Sequence, residues 1–189
     1  MSLLNKIKQH QHGVALLEVL ITMAVLAVGL LGLAGLEVRL HVASTESYQR
    51  SQALILLNDM ESRIASNRNA AASYVTSTPL GVGTTCISNP ITQVQRDMGE
   101  WCNQLQGAAE IIGTDKLGAM IGGRGCVEAL GAGEYMVTVA WQGLVPTSPP
   151  PTSVSCGVSL YNGISANTNC NNDLCRRAIT TVIRIATLS

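Results

Sequence analysis

Residues 14–36 read VALLEVLITMAVLAVGLLGLAGL, and the reading of this stretch governs the rest of the chain. Eighteen of its 23 residues are apolar; the exceptions are Glu18, Thr22, Gly29, Gly32 and Gly35. As an α-helix it is about 35 Å long at 1.5 Å per residue, enough to cross a hydrocarbon core of about 30 Å. It has no polar face, so a soluble domain could not bury it against one neighbour. Lys6 and Lys8 lie upstream, which keeps the N-terminus in the cytoplasm and exports the chain beyond Leu36. A secretory signal peptide is the competing reading. Its apolar stretch runs about 7–15 residues to a small-residue cleavage site, whereas this one is longer and is interrupted by Glu18.

Glu18 is the most informative residue. A carboxylate inside a bilayer is costly and marks a functional site whose partner must be named. A place near the headgroups, or a protonated carboxyl, is the plainer alternative. Gly13 stands directly before the apolar run, five residues before Glu18. Cleavage after Gly13 would put a new ammonium on Val14 in the same layer as Glu18. In a bundle of such helices, the carboxylate of one would meet the ammonium of the next, neutralising both and fixing the axial stagger.

The whole chain has 189 residues, with 12 basic and 12 acidic side chains. Only 13% of residues are charged, against about 25% in a typical soluble domain. Apolar residues reach 47%, aromatics only 3%, and Phe is absent. The balance argues against a nucleic-acid partner, which draws a basic stripe. The apolar content argues against wholesale disorder. One modest domain with a membrane-attached appendage fits.

Beyond Leu36 the chain turns polar but stays helix-like to about Arg68. Leu40, Ala43, Leu54, Leu57 and Ile64 suit one stripe, with Met60 beside it. Glu46 with Arg50, and Asp59 with Arg63, are i,i+4 pairs for a solvated face. Arg63 and Arg68 suit the C-terminal end and Asn69 a stop. Residues 73–90 read as a loop, and Asp97–Ile112 as a short helix weakened by Gly99 and Gly107. Glu134–Gln142 alternates and reads as a strand, Val154–Tyr161 as a weaker one, and Arg177–Ala186 as a third. The segment 146–153, PTSPPPTS, cannot lie in a central strand. Helix first and strands afterwards predict α+β, an antiparallel sheet packed on the helix.

Six Cys, at 86, 102, 126, 156, 170 and 175, all lie beyond the spanning stretch. An even number in an exported half predicts three disulfides, with 15 connectivities open. Zinc would want C-x2-C spacing with more His; the nearest spacing is Cys170-x4-Cys175 and the exported His is His41 alone. No metal site is expected.

Catalysis is not expected either. His10 and His12 precede the apolar run, and His41 alone is a poor base for a nucleophilic site. Glu100 with Glu110, or Glu128 with Glu134, are carboxylates that no spacing selects as a pair. The glycines of Ile121–Gly125, IGGRG, lack the Lys-Ser/Thr ending of a phosphate loop and read as a turn.

A short Lys-bearing leader, then Gly13, then VALLE ending in Glu18, then an apolar helix, resembles a type IV prepilin, whose motif is G-F-T-L-[IL]-E. The continuation EVLITMAVLAVGLLGLAGLE resembles PilV-type minor pilins and the minor pseudopilins of type II secretion. The resemblance covers about residues 9–40. Two departures stand out: Val14 replaces the usual Phe, and the helix has no Pro. Gly29, Gly32 and Gly35, each weakening a helix by about 1 kcal/mol relative to Ala, either let it melt locally or pack it closely.

The resemblance implies a type IV pilin fold: leader 1–13, assembly half of the helix 14–36, exported half 37–68, and a head domain 69–189. It implies cleavage after Gly13 by a prepilin peptidase, N-methylation of Val14, and a role for Glu18 in filament assembly. Partners would be other minor pilins, the major pilin, a tip adhesin and the inner-membrane assembly platform. No cofactor, nucleic acid or small-molecule substrate is implied. The protein would sit in the inner membrane with its head in the periplasm, then at the pilus tip, priming assembly and supporting adhesion and twitching motility. A pseudopilin role is the near alternative. A bitopic protein with a periplasmic binding or enzymatic head is the distant one.

Overall fold

The structure, a computed structural model, describes residues 12–108, 111–112, 115–116, 120–163 and 169–186, with backbone alone at 12–15, 111–112 and 115–116. The expected leader residues 1–11, including Lys6 and Lys8, and the carboxylate Glu110 lie outside the described residues. In order the elements are α1 (His12–Ser66), a 3-10 helix (Arg68–Tyr74), β1 (Leu80–Gly81), α2 (Gln93–Leu105), β2 (Ile111–Ile112), β3 (Asp115–Lys116), β4 (Arg124–Gly131), β5 (Glu134–Gln142) and β6 (Arg176–Arg184). The chain divides into two compact units, residues 1–44 and 45–189.

In the first unit, α1 carries the apolar stretch. From Leu16 to Leu40 every large apolar side chain is 52–74% exposed. Such an all-round apolar surface is stable against lipid or other apolar helices, not against water. It is the one helix among the described residues long and apolar enough to cross a membrane.

In the second unit, residues 45–66 of α1 pack on an antiparallel sheet of order β1-β4-β5-β6, as the α+β expectation required. Ala53, Leu57, Met60 and Ile64 are buried, with steps of four, three and four residues that return to one helix face at about 100° per residue. They meet Val137, Val139 and Trp141 of β5, Val127 of β4 and Ile183 of β6. The alternation read over Glu134–Gln142 is β5 residue for residue, and Arg177–Ala186 is β6 displaced by one or two residues.

Several expectations need correction. Leu54 is exposed because the buried stripe runs one residue earlier, through Ala53, and Leu40 and Ala43 are exposed within the first unit, where no such stripe runs among the described residues. α1 stops at Ser66 and continues as the 3-10 helix, rather than stopping at Asn69. α2 begins four residues before the expected start and ends at Leu105. Thr92 Oγ1 accepts from Gln95 N at 3.2 Å and Gln95 Oε1 accepts from Thr92 N at 3.4 Å, a reciprocal cap that sets the start. Gly107, at φ +90°, then takes the chain out of the helix.

Val154–Tyr161 forms consecutive turns instead of a strand. Gly157 and Ser159 have φ of +74° and +62°, and Arg176 Nη1 donates to the Val154 and Cys156 carbonyls at 2.9 and 3.2 Å. The largest omission is β4, hidden because IGGRG reads as a turn; only Ile121–Gly122 turns, and Arg124 already starts the strand.

The three disulfides join neighbours along the chain: Cys86–Cys102, Cys126–Cys156 and Cys170–Cys175. The first fastens the loop before α2 to its helix, the second ties β4 to the turns after the Pro-rich segment, and the third closes the turn into β6.

Candidate functional site

Gly13 and Val14 belong to the described backbone of α1, and Glu18 lies four residues beyond Val14. Four helical residues rise about 6 Å, one turn, so Val14 and Glu18 share a face. The Glu18 side chain is exposed and makes no hydrogen bond or ion pair with another described residue. Thr22, the other polar side chain of this stretch, is satisfied within the helix: its Oγ1 donates to the Val19 carbonyl at 2.9 Å. Gly29, Gly32 and Gly35 have nothing within 4 Å of where a Cβ would stand, so each leaves a notch open on the helix surface. Among the described residues the arrangement holds one carboxylate without a partner in a stretch whose other side chains, Thr22 apart, are apolar. A neighbouring helix displaced axially by about one turn, about 6 Å, would bring its own Val14 ammonium level with Glu18.

Residues 8–34 match the prokaryotic N-terminal methylation motif. The motif is that of prepilin-like proteins, type IV pilins and pseudopilins, and it contains Gly13, Val14 and Glu18. It implies processing by a prepilin peptidase and assembly with other pilins, and together with the apolar helix it fits anchoring in the inner membrane. No curated protein and no solved structure matches the chain significantly.

The other candidate residues, His41 of the first unit apart, sit in the second unit with structural partners. Glu100 accepts from Arg63 Nη1 at 2.8 Å, Glu128 accepts from the Ser155 hydroxyl, and Glu134 pairs with Arg184 Nε at 2.8 Å. In IGGRG, Arg124 lies over the Tyr161 ring at 4.9 Å from its centroid, and Gly122 O accepts from Tyr161 at 2.9 Å. That loop is a packed corner of the head. His41 stands 3.9 Å from Glu37 on an exposed face.

Two polar arrangements had no signal in the sequence. Glu46, expected to pair with Arg50, instead meets Arg177 Nη2 at 3.3 Å and accepts from Leu144 N at 3.0 Å, tying α1 to the start of β6. Its partner lies 131 residues away, so no local pattern reveals it. The second is centred on Asp97, which is buried. It accepts from Arg63 Nη1 at 3.2 Å, Gln93 Nε2 at 2.8 Å and the Tyr74 hydroxyl, joining α1, α2 and the 3-10 helix. Burial, and next the hydrogen bond to Asp97, push the Tyr74 phenol up to about 12. The Arg63 guanidinium loses some of its proton affinity to burial, but its bonds to Glu100 and Asp59 more than offset that, leaving it above its ordinary value.

Proposed function

We propose that this chain is a minor pilin of a type IV pilus, of the PilV type, held in the inner membrane until its helix joins a filament. The observation that carries the reading is Glu18: a carboxylate with no partner among the described residues, one helical turn past Val14, inside a match to the N-terminal methylation motif. After cleavage behind Gly13 the helix packs in the filament core, and Glu18 neutralises an N-terminal ammonium of a neighbour. The disulfide-tied head selects partners: other minor pilins, the major pilin and a tip adhesin. Its work is priming assembly and forming the tip complex, in support of adhesion and twitching motility. It is assembly rather than catalysis, and the reading needs no cofactor.

The same helix would serve the short periplasmic piston of type II secretion. The long, Cys-rich head favours the pilus, where an exposed subunit must survive outside the cell.

Mass spectrometry of the mature N-terminus tests the reading. N-methylated Val14 is the expected result, and Gly13→Leu should leave the full-length chain in the membrane. An intact Met1, or cleavage near Ala34, would overturn it.

A further inference from the structure

The sheet of the head has two unlike edges. β1 is two residues long, so that edge is protected by its shortness. β6 at the other edge pairs with β5 over nine residues in one continuous register, without a bulge. Gly143 N donates to Cys175 O at 2.7 Å and Ile185 N donates to Gly133 O at 2.9 Å, and both pairs continue that register. Residues of an antiparallel strand face their partner alternately. The odd-numbered residues of β6 therefore bond to β5, and the even-numbered ones turn N–H and C=O outward. Among the described residues nothing pairs with the outward groups of Ala178, Thr180, Val182 and Arg184. Between Arg177 and Arg184 the strand reads AITTVI, uncharged and β-branched after its Ala, and Val182 is 48% exposed. No Pro, charge or bulge blunts this stretch, though those are the usual protections of an edge.

Space for an added strand exists on the core side. One cleft of about 430 Å³ opens between Ser47 and Arg50 of α1 and Ile179 of β6. Another, of about 400 Å³, lies between Ala72 of the 3-10 helix, Tyr135 and Ile185. Ile179 and Ile185 are six residues apart, about 20 Å along a strand, so alternate side chains of an added strand could enter both.

We propose that β6 takes a fifth strand from another exported subunit: an extended segment with apolar residues at alternate positions and an acidic residue towards each end. The charges select this occupant. β6 contains three Arg and no acid; Arg176 meets Asp173, Arg177 meets Glu46 and Arg184 meets Glu134, all acids from outside the strand. Arg50 makes no ion pair with a described residue, and Arg184, which meets Glu134 through Nε alone, keeps a side chain 80% exposed that a second acid can reach. A second copy of β6 fits less well, because that strand contains no acid to bring to Arg50 or Arg184. That the donor is a filament subunit rests on the proposed function; strand addition at β6 does not.

The test uses the full-length protein in detergent and a synthetic nine-residue peptide of alternating Val and Thr with Asp at both ends. The peptide should bind and slow amide exchange at Ala178, Thr180, Val182 and Arg184. Thr180→Pro removes an outward N–H that the fold does not use, and should weaken binding about tenfold with unfolding unchanged. Val182→Pro should do the same, so a folding failure in one variant leaves the other to decide. A peptide ending in Lys should bind less tightly than the Asp peptide. Absence of protection at the four amides would overturn the proposal, as would equal binding by the Lys peptide. Protection of the same amides in a peptide-free dimer would overturn it in favour of self-pairing. The mature N-terminus, measured separately, reports on the filament reading whichever way the peptide behaves.

Discussion

Gly125→Ala should be among the most damaging small changes in the head, although it adds one methyl group. Gly125 lies on β4 against the indole of Trp101, and a Cβ there would stand 2.1 Å from Cη2, 2.6 Å from Cζ3 and 2.7 Å from Cζ2. Carbon atoms rest at about 3.5–4.0 Å, so the ring would have to retreat by about 1.5 Å. Trp101 is 0% exposed and has nowhere to go. Its Nε1 donates to the Leu56 carbonyl of α1 at 2.9 Å, and a shift of that size breaks the bond. Nor can the strand yield, because Gly125 is paired with Leu80 on one side and Val139 on the other. Overpacking costs about 1–3 kcal/mol and an orphaned buried donor about as much, together about 3–4 kcal/mol. For a domain of this size that is a fall in Tm of about 10–15 °C. Thermal unfolding of the full-length protein in detergent, followed by near-ultraviolet circular dichroism, measures it. Trp101→Leu makes room for the methyl group, so the double variant should be less damaged than the sum of the singles by at least about 1 kcal/mol. A Gly125→Ala protein within about 1 kcal/mol of the parent, or strict additivity with Trp101→Leu, would refute the described contact.

Glu18→Ala should still be cut and methylated yet enter filaments poorly, which immunoblots of sheared filaments against membranes would quantify; normal incorporation would end the pairing hypothesis. Alkaline stability should track Tyr74. Folding holds its proton more tightly, so the associated stability is complete below pH 10 and is lost as pH rises to about 12. At about 1.4 kcal/mol per pH unit this amounts to about 3 kcal/mol. Tyr74→Phe should flatten that alkaline limb in denaturant titrations while lowering stability at neutral pH, because Asp97 loses a donor. An equal alkaline decline in both proteins would assign the titration to another group.

What could be read from the sequence depended on where each residue finds its partner. The apolar helix shows as a long apolar run, and β5 and β6 as alternating faces on a common core; both patterns are visible locally. β4 was hidden because its first glycines imitate a turn. Gly125 is tolerated there only because Trp101, from a different element, fills the place of its side chain. Val154–Tyr161 failed in the opposite sense: its apolar residues suggested a strand, but a disulfide and the Arg176 guanidinium hold it in turns. The disulfide pairing, the Glu46–Arg177 bridge and the Asp97 cluster were beyond reach for the same reason. Each joins segments whose proximity is a product of the fold. Glu18 stands out in the sequence because its oddity is local, a charge among apolar neighbours.

The same distinction bears on how the protein works. In the head, Glu46, Asp59, Asp97, Glu100, Glu134 and Asp173 each meet an arginine, and Glu128 meets Ser155. The fold of the head thus supplies counterparts for these seven of its described acids, with Glu61 the exception. Glu18 has none among the described residues, and the apolar side chains around it are exposed along the whole stretch. A lone helix in a bilayer can relieve that carboxylate only by keeping it near the headgroups. In a bundle of identical or related helices, the ammonium that the proposed cleavage creates would relieve it, and the apolar surface would be covered at once. On the proposed reading cleavage and packing are coupled: an uncut chain would carry the carboxylate but lack the ammonium its neighbour requires. On this account an uncut subunit fails in assembly even when membrane insertion and head folding are normal. Loss of Glu18 and loss of processing at Gly13 should then produce the same filament defect from differently sized chains.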